Sequence, residues 1–200
     1  GSPKNLTVVN NNAGNGHVGL AALIEQGMVA KLICSFPRSA DPRVFTERYL
    51  AGQIELELVP QGTLAERIRA GGAGIPAFYT PTSYGTDLAL GKPVEAFDGR
   101  PYVRELWLKA DVALIKAHRG DRLGNLVFNK AARNFNPLMA MAAAVTIAQV
   151  SEIVEPVIVT RPGVVSMMVS GRTRPVSSAS PMVNGFIVEP GSNTSVMARL

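Results

Sequence analysis

Three groups of residues in this 200-residue chain have types and spacings that chemistry could use. The first is Gly14-Asn15-Gly16-His17-Val18-Gly19, a literal G-x-G-x-x-G. Between a strand and a helix such a run can aim backbone N–H groups at a pyrophosphate. Two features count against a dinucleotide reading. Residues 10–13 separate the strand end at Val9 from Gly14, and no acidic residue closes the next strand at Cys34-Ser35-Phe36-Pro37-Arg38. The loop also reads as an ordinary Gly/Asn strand end, or as a cradle for another acidic or carbonyl group. The second group lies in residues 60–81, PQGTLAERIRAGGAGIPAFYTP. A strand-like run precedes it, so Gln61, a side chain that both donates and accepts, falls at a strand mouth just ahead of a helix start. Thr63-Leu64-Ala65-Glu66 has the pattern of a capping box, and Gly71-Gly72 reads as the helix stop. The third group is Lys116, His118, Arg119, Asp121 and Arg122, where His118 beyond a strand end is either a base or a solvated loop histidine.

Other chemistries find no residues. His17 and His118 are far apart, and no Cys, Asp or Glu stands at metal-ligand spacing. There is no G-x-S-x-G and no P-loop. Glu25, Glu47, Glu55, Glu57, Glu66, Glu95 and Glu105 all fall within predicted helices, strands or caps, so none is offered as a nucleophile. The residues by themselves supply binding loops without a complete catalytic set.

The elements that must position these loops follow from patterning. Residues 6–9, 31–36 and 54–59 read as buried strands. Helical patterns follow at 18–26, at 43–51 behind Asp41-Pro42, and at 63–72. Residues 71–85 are long and glycine-rich for a connection, which suggests a binding loop. Residues 94–97 and 102–108 form a hairpin on a type I′ turn at Asp98-Gly99. A strand at 112–117, a turn at 121–125, a short strand at 126–128, a helix capped by Asn136-Pro137 and a β-rich stretch at 145–154 complete the pattern. The fold expected is α/β: an open, mostly parallel sheet with helices on both faces and an inserted β-hairpin. Residues 1–156 form that domain. Residues 157–200 differ, with β-rich pieces at 164–169 and 183–188, and either pack as edge strands or are loosely ordered.

Composition sets the outer bounds. Hydrophobic residues make up 46% and aromatics 6%, enough apolar mass for a core but few stacking platforms. The net charge of +5 is not a nucleic-acid footprint, because the arginines sit singly and mostly near acids. In residues 157–200 four arginines face one glutamate, so that segment holds three of the five net positive charges. Cys34, the single cysteine, lies in an apolar run and reads as a buried structural thiol in a reducing compartment. No apolar run approaches the ~18 residues of a membrane span, and the N-terminus has no leader pattern. The expectation is a soluble cytoplasmic protein with no nucleic-acid or membrane partner.

Across residues 11–156 the chain resembles the N-terminal half, or the corresponding separate A-type polypeptide, of the class I coenzyme A transferases, within the CoA-transferase/NagB-RpiA-like folds. The residues that carry the likeness are Asn11-Asn12-Ala13-Gly14, Glu47-Arg48-Tyr49-Leu50 with Gly52, and PQGTLAERIRAGGAG at 60–74 running on to Pro76-Ala77-Phe78-Tyr79-Thr80-Pro81. Gly85-Thr86, Lys116-Ala117, Asp121-Arg122 with Gly124-Asn125, and Ala132-Arg133-Asn134-Phe135-Asn136 follow in order. The nearest branch acts on succinyl-CoA and 3-oxo acids such as acetoacetate, in ketone-body metabolism.

The resemblance implies a partner of the B type, in a heterodimer or heterotetramer, that carries a nucleophilic glutamate. This chain would contribute no catalytic residue. It would bind acyl-CoA and carboxylic-acid substrates through Gln61, Asn11, Asn12, Gly62 and Gly74, with coenzyme A as substrate and no bound cofactor. The A-type polypeptides of the family begin with an earlier strand and a Gly-Gly-Phe-Gly-type loop that this sequence lacks, and the part after Glu155-Pro156 does not follow their usual ending. A sheet edge left open by the missing strand favours pairing with a partner. The alternatives are a non-catalytic scaffold of the same fold and, from the glycine loop, a dinucleotide-binding oxidoreductase.

Overall fold

A computed structural model describes residues 3–156 and 196–199. Strands β1 (Leu6–Val9), β2 (Val29–Cys34) and β3 (Glu55–Leu58) pair in parallel, side by side. Helices α1 (Leu20–Glu25) and α2 (Arg43–Leu50) connect them. The longer β7 (Ala110–Asp121) pairs in parallel with β9 (Ala143–Val154) and antiparallel with the short β8 (Leu126–Val127). Between β1 and β7 lies β10 (Val196–Arg199), antiparallel to both. The sheet therefore runs β3-β2-β1-β10-β7, with β8 and β9 both on β7. Two antiparallel pairings to β10 leave β1 and β7 pointing the same way.

Strand alternation sorts the core into two layers. Leu6, Val8, Leu32 and Cys34 turn to one face, against Leu20, Leu23 and Ile24 of α1 and Val44 and Phe45 of α2. Val9, Ile33, Ala113, Ile115 and Met197 turn to the other. There they meet Leu64 and Ile68 of α3 (Gln61–Ala73) and Met139 and Ala140 of α4 (Asn136–Ala142). Helices thus cover both faces, as the sequence predicts. Each fully buried Leu or Ile in these layers contributes roughly 1.5–3 kcal/mol.

The 60–81 stretch departs from its sequence reading. α3 starts two residues earlier, at Gln61 behind the extended Pro60, so Thr63 lies inside the helix. Its side-chain hydroxyl is buried without a hydrogen-bond partner, and Glu66 pairs with Arg69 at 2.7 Å. There is no capping box. Gly71-Gly72 does not stop the helix either; Gly74, with φ 74°, does. Gly71 and Gly72 are packing glycines: a Cβ on Gly71 would stand 2.3 Å from the carbonyl oxygen of Leu108, and one on Gly72 2.7 Å from Cβ of Met141. Only a hydrogen fits at these approaches.

Residues 71–85 are not one long loop. β4 (Ala77–Thr80) forms within them and pairs with β6 (Arg100–Leu106), which also pairs with β5 (Val94–Phe97). The β5–β6 hairpin turns at Asp98 and Gly99, both at positive φ, as a type I′ turn requires. The inserted hairpin is therefore the larger part of a separate three-stranded antiparallel sheet.

One further correction concerns the sheet edge expected to be open: β1 is paired along Thr7, Val8 and Val9 by β10. Of the last segment, expected either as edge strands or as loosely ordered, the described residues 196–199 form β10, an inner strand. The pieces at 164–169 and 183–188, and the boundary near 157, lie outside the described residues. Among the described residues no helix is long and apolar enough to cross a membrane.

Candidate functional site

In a parallel sheet the loops that leave the C-terminal strand ends gather on one rim, and ligands bind there. Here the exits of β1, β2 and β3 meet. Asn10, 2% exposed, extends the β1–β2 ladder by donating its N–H to Ile33 O at 3.1 Å. The carbonyl of Asn11 then accepts the N–H groups of Ser35 (3.3 Å) and Phe36 (3.1 Å), which fixes the β2 exit beside the β1 exit. Pro60, with ψ 138°, turns the chain from β3 into α3 and places Gln61 at the first helical position.

The side chains close the arrangement. Asn11 Oδ1 accepts two hydrogen bonds, from Ser35 Oγ at 2.6 Å and from Gln61 Nε2 at 2.9 Å. Ser35 Oγ also lies 3.1 Å from the Asn11 carbonyl. Asn11 and Ser35 are half-buried and Gln61 is exposed, so the cluster is anchored below and open above. Gly62 follows on the exposed first turn of α3, with open space where a Cβ would be. The first N–H groups of a helix have no intrahelical acceptor and carry a partial positive charge.

The predicted binding residues thus fall into three sets. Asn11, Gln61 and Gly62 come together. Asn12 is adjacent, but its Oδ1 accepts Gly14 N–H at 3.0 Å and Asn10 Nδ2 at 3.3 Å, turning the side chain back into the loop. Gly74 stands at the far end of α3, about 18 Å from Gly62 at the helical rise of 1.5 Å per residue. Ser35 escapes a sequence reading because it looks like one more strand residue. The signal that could have found it is its place at the end of a parallel strand, one strand over from the Asn pair.

The other candidates have local roles. In the glycine loop, Gly14 N–H is held by Asn12, Gly16 N–H by Asp41 O at 3.0 Å, and Asn15 Oδ1 by Asp41 N–H at 2.8 Å. The Gly14 and Gly16 N–H donors are thus committed to Asn12 and Asp41 instead of facing a phosphate. Asp41 bonds Arg43 through both carboxylate oxygens at 2.8 Å, and that guanidinium holds its carboxyl down at about 2. His17 pairs with Glu25 at 3.0 Å. His118 and Arg119 are both exposed near the end of β7, a strand longer than predicted, and Arg119 meets Glu152 at 2.7 Å. Asp121 caps its own turn by accepting the N–H groups of Leu123 and Asn125, both at 2.9 Å. Asn136 does not cap α4: its Oδ1 accepts Lys116 N–H at 2.9 Å and its Nδ2 donates to Ala132 O at 2.9 Å. Cys34 is fully buried, and burial pushes its thiol up to about 11, as expected of a structural cysteine.

Among the described residues no three His, Cys, Asp or Glu side chains cluster to hold a metal ion. The Asn11–Ser35–Gln61 network is made of neutral groups only. It can orient a carboxylate or polarise a carbonyl by hydrogen bonds, but it holds neither a nucleophile nor a base.

The chain belongs to the coenzyme A transferase family, whose model matches residues 2–169. It is 59% identical over 182 residues to the A-type polypeptide of the 3-oxoadipate CoA-transferase of Acinetobacter baylyi, covering 88% of this chain and 80% of that protein. It is also 59% identical over 150 residues to the A-type polypeptide of the succinyl-CoA:3-ketoacid coenzyme A transferase of Xanthomonas campestris, covering 75% of this chain but 61% of the relative. Among solved structures it shares its fold with an acyl-CoA transferase of Escherichia coli O157:H7, crystallised as a thioester complex with CoA (TM-score 0.69, 18% identity, 85% of this chain, 39% of that one). The resemblance read from the sequence motifs and the mixed α/β architecture are both borne out.

Proposed function

We propose that this chain supplies one wall of a CoA-transferase active site whose nucleophile, a glutamate, stands on a partner of the B type. The single observation that carries this reading is the Asn11–Ser35–Gln61 network: a neutral hydrogen-bonding cluster at parallel strand ends, beside a helix start, with no nucleophile of its own. In the proposed reaction the partner's carboxylate attacks the thioester carbonyl of succinyl-CoA. The C–S bond breaks, CoA leaves as thiolate, and a succinyl–glutamyl anhydride forms. The thiolate then attacks the glutamyl carbonyl, which releases succinate and leaves a glutamyl-CoA thioester. The carboxylate of a 3-oxo acid repeats the two steps in reverse and departs as its CoA thioester. Asn11 and Gln61 hold the acid's carboxylate and stabilise the oxyanion of each tetrahedral intermediate, and the N–H groups at Gly62 add to the same field. CoA is a substrate throughout.

Relatives of equal identity are named for 3-ketoacid and for 3-oxoadipate transfer. These names support a 3-oxo acid as the acceptor, either a monoacid such as acetoacetate or the diacid 3-oxoadipate.

The test is reconstitution. The chain is mixed with the B-type partner of a close relative, succinyl-CoA is added, and intact mass spectrometry follows the partner. A CoA adduct that needs both polypeptides, and is discharged by acetoacetate or 3-oxoadipate, supports the reading. Absence of the adduct, where the same B-type partner works beside its own A-type polypeptide, leaves a non-catalytic scaffold.

A further inference from the structure

The polarity of the site is set by a residue that the proposed chemistry does not require. Asn11 Oδ1 lies 2.6 Å from Ser35 Oγ and 2.9 Å from Gln61 Nε2. A carboxamide end held this way has two possible orientations, with oxygen or nitrogen facing the two neighbours. The Ser35 distance chooses between them. It is ordinary for O–H···O, about 2.5–3.0 Å, and falls below the range of about 2.7–3.2 Å for N–H···O. The hydroxyl has one proton and two oxygens in reach, Asn11 O at 3.1 Å and Asn11 Oδ1 at 2.6 Å, and the shorter contact takes it, so Asn11 Oδ1 faces inward. With that oxygen fixed, Gln61 can meet it only through Nε2, since its own Oε1 would oppose another acceptor.

We infer that Ser35 is a positioning residue: by donating to Asn11 Oδ1 it turns the Asn11 NH2 outward, and the arrangement presents donors to an anionic oxygen of the substrate. This rests on the reading of Asn11 and Gln61 as the substrate-facing pair. The outward groups are then the Asn11 Nδ2 hydrogens and the second hydrogen of Gln61 Nε2, a pattern suited to a carboxylate or a thioester oxyanion. Without the Ser35 hydroxyl, Asn11 and Gln61 can flip together, which presents Asn11 Oδ1 outward to repel the same ligand. Ser35 reaches the chemistry only through Asn11.

The experiment is a double-mutant cycle in the full chain paired with its B-type partner, reading kcat/KM for the acid acceptor and following thermal melting alongside. Ser35→Ala is expected to lower kcat/KM about tenfold, because Asn11 no longer holds its NH2 towards the charged substrate oxygen, with the melting temperature nearly unchanged. Asn11→Ala should lower it more. The double variant Asn11→Ala/Ser35→Ala should match Asn11→Ala alone, because Ser35 then has nothing to orient. A Ser35→Ala enzyme within twofold of the parent, additive losses in the double variant, or a Ser35→Ala chain that fails to fold would each overturn the inference. If Asn11→Ala and Gln61→Ala are both harmless, the substrate-facing pair itself is misassigned, a failure distinct from one confined to Ser35.

Discussion

The two ends of α3 are built on opposite plans. At its N-terminal end Gln61, Asn11 and Ser35 are hydrogen-bonded to one another yet still open to solvent, and Gly62 leaves space above the helix start. At its C-terminal end Gly71 and Gly72 admit the backbone of Leu108 and the side chain of Met141 at distances that no Cβ would permit. Midway along α3, Arg67 ties the helix to its neighbours, donating through Nε to Leu106 O at 3.0 Å and through Nη1 to Glu57 at 2.7 Å. The N-terminal end keeps polar groups in reserve for something that binds. The rest of the helix uses its groups on packing and on ion pairs. Function and stability should therefore separate along a single helix.

The sharpest way to break that contrast is Gln61→Ala. Gln61 is exposed and its side chain donates to another site residue, Asn11, so stability should change by less than about 0.5 kcal/mol. Turnover in the reconstituted enzyme should fall about 10²–10³-fold, the cost of removing one oxyanion-type donor. A variant that unfolds while the purified remainder keeps full turnover would make the N-terminal end structural.

Gly71→Ala probes the other end. On helix propensity alone the change should stabilise by up to about 1 kcal/mol. The approach of Leu108 O predicts the reverse: the new methyl must displace backbone, at a net cost of about 2 kcal/mol. For a chain of this size that is a fall of roughly 4–8 °C in melting temperature by circular dichroism. A rise in melting temperature would show that the close approach is not maintained. Specific activity of the folded fraction should be unaffected, since Gly71 lies far from Gln61 along the helix.

The same contrast explains what could be read in the sequence. The parallel strands, the two helical layers and the Asp98-Gly99 hairpin follow from local pattern, because alternation, turn type and apolar spacing act within a few residues. Gln61 and Asn11 were legible as polar residues at strand exits. The cap at Thr63 and the stop at Gly71-Gly72 were misread because packing overrode local signals: α3 gains more by carrying Leu64 and Ile68 into the core from an earlier start, and its glycines serve Leu108 and Met141 from distant parts of the chain. Ser35 and β10 were invisible for a related reason. Their roles depend on strand order, on β2 standing next to β1 and β10 between β1 and β7, which no local pattern states.

The smallest effect belongs to the charge network around Arg67, at the middle of α3. Burial raises the Glu57 carboxyl, but hydrogen bonds from Arg67 (2.7 Å) and Lys31 (3.0 Å) outweigh it, so its pKa lies below the ordinary glutamate value. A carboxyl lowered in the folded state contributes stability that is complete above its unfolded value, about 4.3, and is lost as pH falls through the folded one. Because Glu57 remains partly exposed, the contribution should stay under about 1 kcal/mol. Urea midpoints of the parent and of Glu57→Gln should therefore differ most near neutral pH and converge as the pH drops from about 4.3 towards 3. Asn11 and Gln61 do not titrate, so no matching pH-dependent stability should arise from the site end. A gap between the two midpoint curves that widened on acidification would mean that Glu57 is held by burial rather than by its two cations, and the packed part of α3 would lose the ion pairs that distinguish it from the site end.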